Sequence, residues 1–306
     1  MELSMKVSTL ALLSGLVAFG ANAEMVEITH AKGTTKLESN PERVVVIGVG
    51  ALDAAVTLGV EPVAISTVSM FPDYLAQYRD YKFVSAGSLS EPNFETIYTQ
   101  KPDLIIVGSR AAKQYDELAK IAPTIVFAAD DSKGYWTSTQ EQWRNLGKVF
   151  EKQDFVENKI AEIDSEFKAI RDYNQQNKVD ALTVMSAGGN ITAFGEASRF
   201  SSIYRDFGFT QTVENINASS RHGDLVSYEF IREANPSTLL IIDKDKLINK
   251  GNSTVERDFE NDLVKATNAH KNNRMAYLDI NAWYLAISGI QATQIMIDDV
   301  KTSIGQ

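Results

Sequence analysis

The sequence predicts an α/β fold of two Rossmann-like lobes, joined by a single long backbone helix, with a ligand cleft between the lobes. Three observations indicate this fold. Short apolar runs alternate with helical patterns in the first half, a long stretch of helix-forming residues follows, and the alternation then begins again. Apolar strands separated by helices are typical of mostly parallel sheets with helices on both faces.

The first lobe is predicted from four apolar runs of strand length. A helix predicted to end at Gly59 connects the first two runs, and residues 110–122 have helical spacing between the last two. Connections of this kind place neighbouring strands parallel in one sheet. The predicted strands are Arg43–Gly48, Glu61–Ser66, Pro102–Ser109 and Pro123–Ala129.

The linking helix is predicted at residues 149–177. An apolar stripe at spacings of three and four residues indicates an amphipathic helix there. The stripe consists of Ile160, Ile163, Phe167 and Ile170. We therefore expect the N-terminal lobe at 24–148 and the C-terminal lobe at 178–306. The strands predicted in the C-terminal lobe are 181–188, 190–195, 237–243 and 274–280, again in alternation with helices.

The first 23 residues have the pattern of a secretory signal peptide. Lys6 gives a positive start, Leu10–Phe19 is apolar, and small residues stand at Ala21 and Ala23. The apolar run is too short to cross a bilayer comfortably. We therefore expect cleavage after Ala23 and a mature chain that does not remain in the membrane.

The composition is that of an exported protein without a lipid anchor. The net charge is −10, and the chain contains no cysteine and no basic tract of the kind that binds nucleic acid or anionic lipid. Without cysteine, there is no site for a lipid at the cleavage point. We expect a monomer that diffuses freely in the bacterial periplasm. A eukaryotic secreted protein is the alternative, because Asn217 and Asn252 fit the glycosylation pattern.

Two segments of the chain resemble each other at a constant offset of 134 residues. In each, a helix with an acid leads through a proline into a strand, and a cation follows the strand. Ligands of open α/β sheets bind outside the carboxyl ends of the strands. We therefore expect both cations at one cleft and both acids on the outer surfaces. The matched pairs are Glu95 with Glu229, Pro102 with Pro236, and Arg110 with Lys244.

Enzyme motifs are weak or missing. The chain lacks a thiol nucleophile and the G-x-S-x-G, H-E-x-x-H and P-loop motifs. Gly48 and Gly50 supply the first two glycines of a dinucleotide motif, but Asp53 stands where the third belongs. We therefore expect a protein that binds rather than an enzyme.

Two further segments contain candidate metal-ligating or ligand-binding residues. His222 precedes the helix of Glu229, and Gly223 lets the backbone turn there. Trp283 and Tyr284 follow the last apolar strand, so both are expected at the cleft. A surface residue or a catalytic base is the alternative for His222, and a core position is the alternative for the aromatic pair.

These motifs resemble those of the periplasmic substrate-binding proteins of iron-siderophore ABC importers, the class with a rigid helical backbone between its lobes. The resemblance covers the mature chain and is closest to the ferric catecholate binders, which take enterobactin- or vibriobactin-like siderophores and linear bis-catecholates. The motifs are "NFETIYTQKPDLIIVGSR", "FGEASRF", "HGDLVSYEFI", "NPSTLLIIDK" and "NAWYLAISG".

The resemblance implies roles for particular residues. His222 and Tyr284 match the pair that completes iron coordination when a tetradentate siderophore leaves two sites open. Arg110 and Arg199 match cations that hold the anionic complex. Lys244 stands where the family usually has arginine, so it keeps the charge but loses the planar fork of donors.

The resemblance also implies the partners. Glu95 and Glu229 match the acids that dock each lobe onto basic pockets of an inner-membrane ABC permease dimer. Iron would arrive inside the siderophore as cargo, so no permanently bound cofactor is expected. Ferric iron prefers oxygen donors such as a phenolate and also accepts imidazole. Haem, cobalamin or a hydroxamate siderophore is the alternative cargo on the same scaffold.

Overall fold

The structure is a computed structural model that describes residues 24–79, 82–130, 132–216 and 223–306. The predicted signal peptide and His222 therefore lie outside the described residues. No helix in the described ranges is long and apolar enough to cross a membrane.

The first lobe contains an N-terminal hairpin and a five-stranded parallel sheet. Its strands are β1 Met25–His30, β2 Gly33–Glu38, β3 Val44–Ile47, β4 Ala64–Thr67, β5 Val84–Ser88, β6 Leu104–Gly108 and β7 Thr124–Phe127, and its helices are α1 Val49–Thr57, α2 Phe94–Thr99 and α3 Tyr115–Leu118, with 3₁₀ turns at Asp73–Arg79 and Ala112–Gln114. The strand order is β5-β4-β3-β6-β7. Strand β3 is buried on both faces, as its continuous apolar run predicts.

Two consecutive helices, α4 Tyr135–Val149 and α5 Gln153–Asn177, connect the lobes. Helix α5 begins four residues after the predicted start of the linking helix at 149, because the chain turns between the helices and Glu151 takes a left-handed φ of 53°. The predicted apolar stripe is buried, and the buried face of the helix also includes Val156 and the polar Asn174.

The second lobe is built on a mixed sheet. Its strands are β8 Asp180–Ala187, β9 Asn190–Phe194, β10 Thr210–Gln211, β11 Asp224–Val226, β12 Thr238–Asp243 and β13 Met275–Leu278, and its helices are α6 Ser202–Arg205, α7 Tyr228–Ala234, α8 Asp245–Ile248, α9 Val255–Phe259, α10 Asp262–Lys265, α11 Asn268–Lys271 and α12 Ile290–Ser303, with a π-helical turn at Asn281–Leu285. The order is β11-β9-β8-β12-β13, and β10 pairs with β8.

Strands β8 and β9 form an antiparallel hairpin, so the strict strand–helix alternation expected in the second lobe was wrong at this point. Gly188 and Gly189 close the hairpin with φ angles of 58° and 78°. Two positive φ angles are what a tight two-residue hairpin turn requires. Strands β8, β12 and β13 remain parallel.

The repeat predicted at an offset of 134 is visible in the fold. Helices α2 and α7 both start with a side-chain cap, from Asn93 to the N–H of Thr96 and from Ser227 to that of Phe230. After each helix a residue takes the left-handed conformation at φ 47°; these are Lys101 and Asn235. The same short helix, left-handed turn and buried strand therefore occur in both lobes.

One apolar cluster extends through both lobes. It includes Val46 and Ile106 from the first sheet, Phe167 from α5, and Leu240 and Ile242 from the second sheet. The lobes are therefore packed on a shared core that includes the linking helix.

Candidate ligand-binding site

A cavity of about 520 Å³ lies between the lobes, within the range of small-molecule sites. Gly48 and Arg110 line it from the ends of β3 and β6. Arg199 and Arg205 line it from the loop after β9 and from α6, and Tyr284 from the π-helical turn. The cavity thus lies at the carboxyl ends of the strands, where open α/β sheets bind ligands.

Three cations surround the ring of Tyr284. The guanidinium carbon of Arg199 lies 4.2 Å from the ring centre. The guanidinium carbon of Arg110 and the Nζ of Lys244 each lie 5.5 Å from it. These distances are within the range of cation–π contacts. Four of the residues predicted from the sequence therefore meet at one point of the cleft.

The charges change the acidity of Tyr284. Burial raises the pKa of its phenol, but the positive charges of Arg199, Lys244 and Arg110, with a hydrogen bond from Arg199, outweigh burial and hold the pKa below its ordinary value. A phenol in such surroundings loses its proton more readily when a metal ion binds its oxygen.

The backbone around each cation explains why it reaches the cleft. Arg110 follows the end of β6 by two residues, and Lys244 follows β12 directly, with its N–H bonded to the carbonyl of Ser186. Arg199 precedes Phe200, whose buried ring packs edge-on against Phe194. The loop is therefore anchored by an aromatic side chain next to the cation.

Trp283 does not line the cleft, so its prediction as a ligand-binding residue is corrected. Its side chain is 1% exposed, packs against Phe207 and donates its indole N–H to Asp299 Oδ2 at 2.8 Å. Its neighbour Tyr284 lines the cleft, whereas Trp283 is buried in the core. The alternative of a core position holds for this residue.

The two predicted docking acids lie away from the cavity. Glu95 and Glu229 are exposed in the first turns of α2 and α7. Tyr98 and Leu225 nearby in sequence are 69% and 73% exposed. A hydrogen bond from Ser227 lowers the pKa of Glu229, so this acid is ionised at neutral pH.

Arg205 and Tyr135 are among the cavity-lining residues that sequence reasoning missed. Arg205 follows Arg199 by six residues, and this second cation was the available clue. Tyr135 begins α4 and had no motif around it. Within the described ranges, no three His, Cys, Asp or Glu side chains form a group suited to a metal ion.

Residues 44–282 match the model of the periplasmic binding protein family, and the chain belongs to that family. The resemblance drawn from the sequence motifs is therefore confirmed. The two-lobed α/β fold is confirmed as well.

Relatives and solved structures narrow the comparison. The chain is 37% identical over 284 residues to the petrobactin-binding protein YclQ of Bacillus subtilis, covering 92% of this chain and 89% of that protein. It is 32% identical to the ferric-anguibactin-binding protein FatB of Vibrio anguillarum, covering 96% and 94%. The crystal structure of the periplasmic catecholate-siderophore binding protein VctP from Vibrio cholerae superposes with a TM-score of 0.88 at 61% identity, covering 92% of this chain and 100% of that one.

Proposed function

We propose that this protein captures a ferric catecholate siderophore in the periplasm and delivers it to an inner-membrane ABC importer. The observation that carries the proposal is the meeting of Arg110, Arg199 and Lys244 around Tyr284 in the cleft. An acidic protein needs such a local group of cations to hold an anionic ligand. A catecholate complex of Fe(III) is anionic and presents flat aromatic rings, which cations and aromatic side chains bind well.

Tyr284 is proposed to complete the coordination of the cargo iron together with His222. A phenolate is a hard oxygen donor of the kind that Fe(III) prefers, and imidazole is also an accepted iron ligand. The lowered pKa of Tyr284 supports this role, because ligation requires loss of the phenol proton. The protein would thus supply two donors and the siderophore the other four.

The relatives support the same class of cargo. VctP is described as a catecholate-siderophore binding protein, YclQ as petrobactin-binding and FatB as ferric-anguibactin-binding. Together with the exposed Glu95 and Glu229 on the repeated helices, they support delivery of this cargo to a permease dimer.

The test is a titration of the purified protein with the ferric complex of a linear bis-catecholate and, separately, with haemin. Tryptophan quenching reports affinity, and the visible charge-transfer band reports the iron ligands. We expect tighter binding of the catecholate complex and a shift of the band to shorter wavelength on binding. Tighter binding of haemin would refute the proposed cargo.

Variants then test the iron ligands. Tyr284→Phe and His222→Ala should each reduce the band shift, because each removes one donor. Tyr98→Phe makes the same chemical change on an exposed side chain of α2 and should behave as the wild type. A band that is the same in free and bound siderophore would show that the protein does not ligate the iron.

A further inference from the structure

Asp53 of the first lobe caps a helix of the second lobe. It lies in α1 and is 1% exposed. Its Oδ1 accepts the backbone N–H of Gln291 at 2.9 Å, and its Oδ2 accepts that of Ala292 at 2.9 Å. Both N–H groups lie in the first turn of α12, where no intrahelical acceptor exists for them. The Tyr74 hydroxyl also donates to Oδ2 at 3.0 Å.

Two glycines let the lobes approach at this point. A Cβ on Gly50 would lie 2.2 Å from the carbonyl oxygen of Ile287, and one on Gly289 would lie 2.1 Å from Asp53 Oδ2. Both separations are far below van der Waals contact, so a side chain at Gly50 would push against the backbone of the second lobe, and one at Gly289 would displace the Asp53 side chain. We call Gly50, Asp53, Ile287 and Gly289 the interlobe joint.

The joint is continuous with the turn that contains Tyr284. Ser288 follows Tyr284 by four residues and takes a left-handed φ of 67° although it is buried. Its carbonyl accepts a hydrogen bond from the indole N–H of Trp143 at 2.7 Å. Its hydroxyl is hydrogen-bonded to the hydroxyl of Thr139 at 2.9 Å. A non-glycine residue remains in this conformation when its surroundings hold it there.

We propose that Asp53 is a positioning residue that, through the interlobe joint, fixes the Tyr284 turn of the second lobe against Arg110 of the first. The cleft is then already formed when the ligand arrives, so binding costs little conformational entropy for ordering the protein. This gives the Gly48–Asp53 motif a role: the acid in place of a third glycine caps a helix of the opposite lobe. The effect on ligand affinity rests on the proposed function, whereas the effect on lobe geometry does not.

Lobe geometry is measured first, without ligand. The natural chain has no cysteine, so Tyr98→Cys on α2 and Arg257→Cys on α9 place two spin labels on exposed positions of the two lobes. Pulsed electron paramagnetic resonance (double electron–electron resonance) then gives the distribution of distances between the labels. We expect one narrow distribution for the parent protein and a broad one for Asp53→Ala.

Two further variants make the result decisive. Gly289→Ala keeps the carboxylate but pushes it away, and the φ of −64° at Gly289 suits alanine, so this variant should also broaden the distribution. The matched control is Asn261→Ala. Asn261 caps the first turn of α10 with bonds to two N–H groups, as Asp53 does for α12, but within one lobe. Its distribution should stay narrow.

Opposite results overturn the proposal. A narrow, unchanged distribution in Asp53→Ala does so, as does equal broadening in Asn261→Ala, which would indicate general loosening. If Asp53→Ala does not fold, Gly289→Ala decides: an unchanged distribution in that variant refutes the role of the joint.

A ligand titration of the same variants distinguishes a positioning role of Asp53 from a role in iron ligation. If the competent arrangement falls to about a tenth of the molecules, the apparent Kd for the ferric bis-catecholate rises about tenfold in Asp53→Ala. The charge-transfer band at saturation should nevertheless equal that of the wild type, because the bound ligand selects the competent arrangement. An unchanged Kd would refute positioning. If the wild type itself does not bind the catecholate, the proposed function fails while the distance measurement stands.

Discussion

The guanidinium carbon of Arg199 lies 4.2 Å from the ring centre of Tyr284, closer than the two other cations around that ring, Arg110 and Lys244. Arg199 and Tyr284 both belong to the second lobe, whereas Arg110 approaches from the first. Among the charges that lower the pKa of this phenol, the strongest therefore comes from its own lobe, and the first lobe adds a further charge across the cleft.

Replacing Arg199 by alanine should raise the pKa of Tyr284. Its charge and its hydrogen bond both favour the phenolate, so without them the phenolate forms at a higher pH. The measurement is a pH titration of phenolate absorbance, with Tyr284→Phe subtracted to isolate this tyrosine. Arg257→Ala, which removes an exposed cation from α9, is the control and should leave the curve in place. An unmoved curve in Arg199→Ala contradicts the electrostatic account.

Lys244→Arg should strengthen binding of the ferric bis-catecholate. The charge is kept, and the planar guanidinium adds donors in a fork that matches paired oxygens. One added charge-assisted hydrogen bond, worth about 1 kcal/mol net, would lower Kd roughly three- to tenfold. Fluorescence titration measures the change, and Lys246→Arg, whose side chain pairs with Glu256, is the control. Weaker binding in Lys244→Arg would show that the cleft is shaped for the smaller ammonium group.

Trp283→Phe should destabilise the protein more at neutral pH than at acidic pH. Burial raises the pKa of Asp299 to about 6, while the N–H of Asp279 and the indole of Trp283 favour the ionised form. Because this pKa lies above its ordinary 3.8, the carboxyl's contribution to stability is full below 3.8 and is lost as pH rises through 6. Loss of the indole donor should cost about 1–3 kcal/mol once the carboxylate is ionised, and less when it is protonated.

Urea unfolding at about pH 5 and about pH 7.5 measures this difference. The control is Trp143→Phe. The indole of Trp143 donates to a backbone carbonyl, which does not titrate, so loss of this hydrogen bond should cost the same at both pH values. A cost of Trp283→Phe that does not depend on pH would separate Trp283 from the titration of Asp299.

Removing both proposed docking acids should abolish uptake of the iron-loaded siderophore and leave binding of the siderophore by the purified protein intact. Glu95→Ala with Glu229→Ala changes exposed side chains on α2 and α7, away from the cavity. Uptake of the iron-loaded siderophore by cells with the importer and Kd of the purified protein are the two measurements. Glu117→Ala with Glu233→Ala removes the same charge from other exposed positions and should support normal uptake. A weaker Kd in the first double variant would place those acids at the ligand instead.

Eight of the strands, the long helix and two of the cleft cations could be predicted from the sequence because each follows a local pattern, whereas Arg199 came from the family resemblance. Apolar runs marked the strands, and the stripe from Ile160 to Ile170 marked α5. Arg110 and Lys244 stand at strand ends, where topology alone brings them to the cleft. The hairpin between β8 and β9 was missed because the second half was assigned the strand–helix alternation of the first, although the strands predicted at 181–188 and 190–195 leave one residue between them.

Other features depend on contacts between distant residues. Asp53 meets the start of α12 across 238 positions of the chain, and no periodicity reports such a pair. Trp283 and Tyr284 are neighbours in sequence, yet one is buried and the other lines the cleft, a difference that residue types do not reveal. The resemblance to a family supplied their roles, but only coordinates could divide them between cleft and core.

The apolar cluster that includes β3, α5 and β12 bears on how the molecule melts. Because the same side chains support both lobes, neither half keeps a complete interior when the other is removed. Heating should therefore produce one cooperative transition instead of two, and a fragment that ends within α5 would expose half of an interface that normally never meets water. The two lobes look like separate units from the cleft side, yet for thermal unfolding they form one.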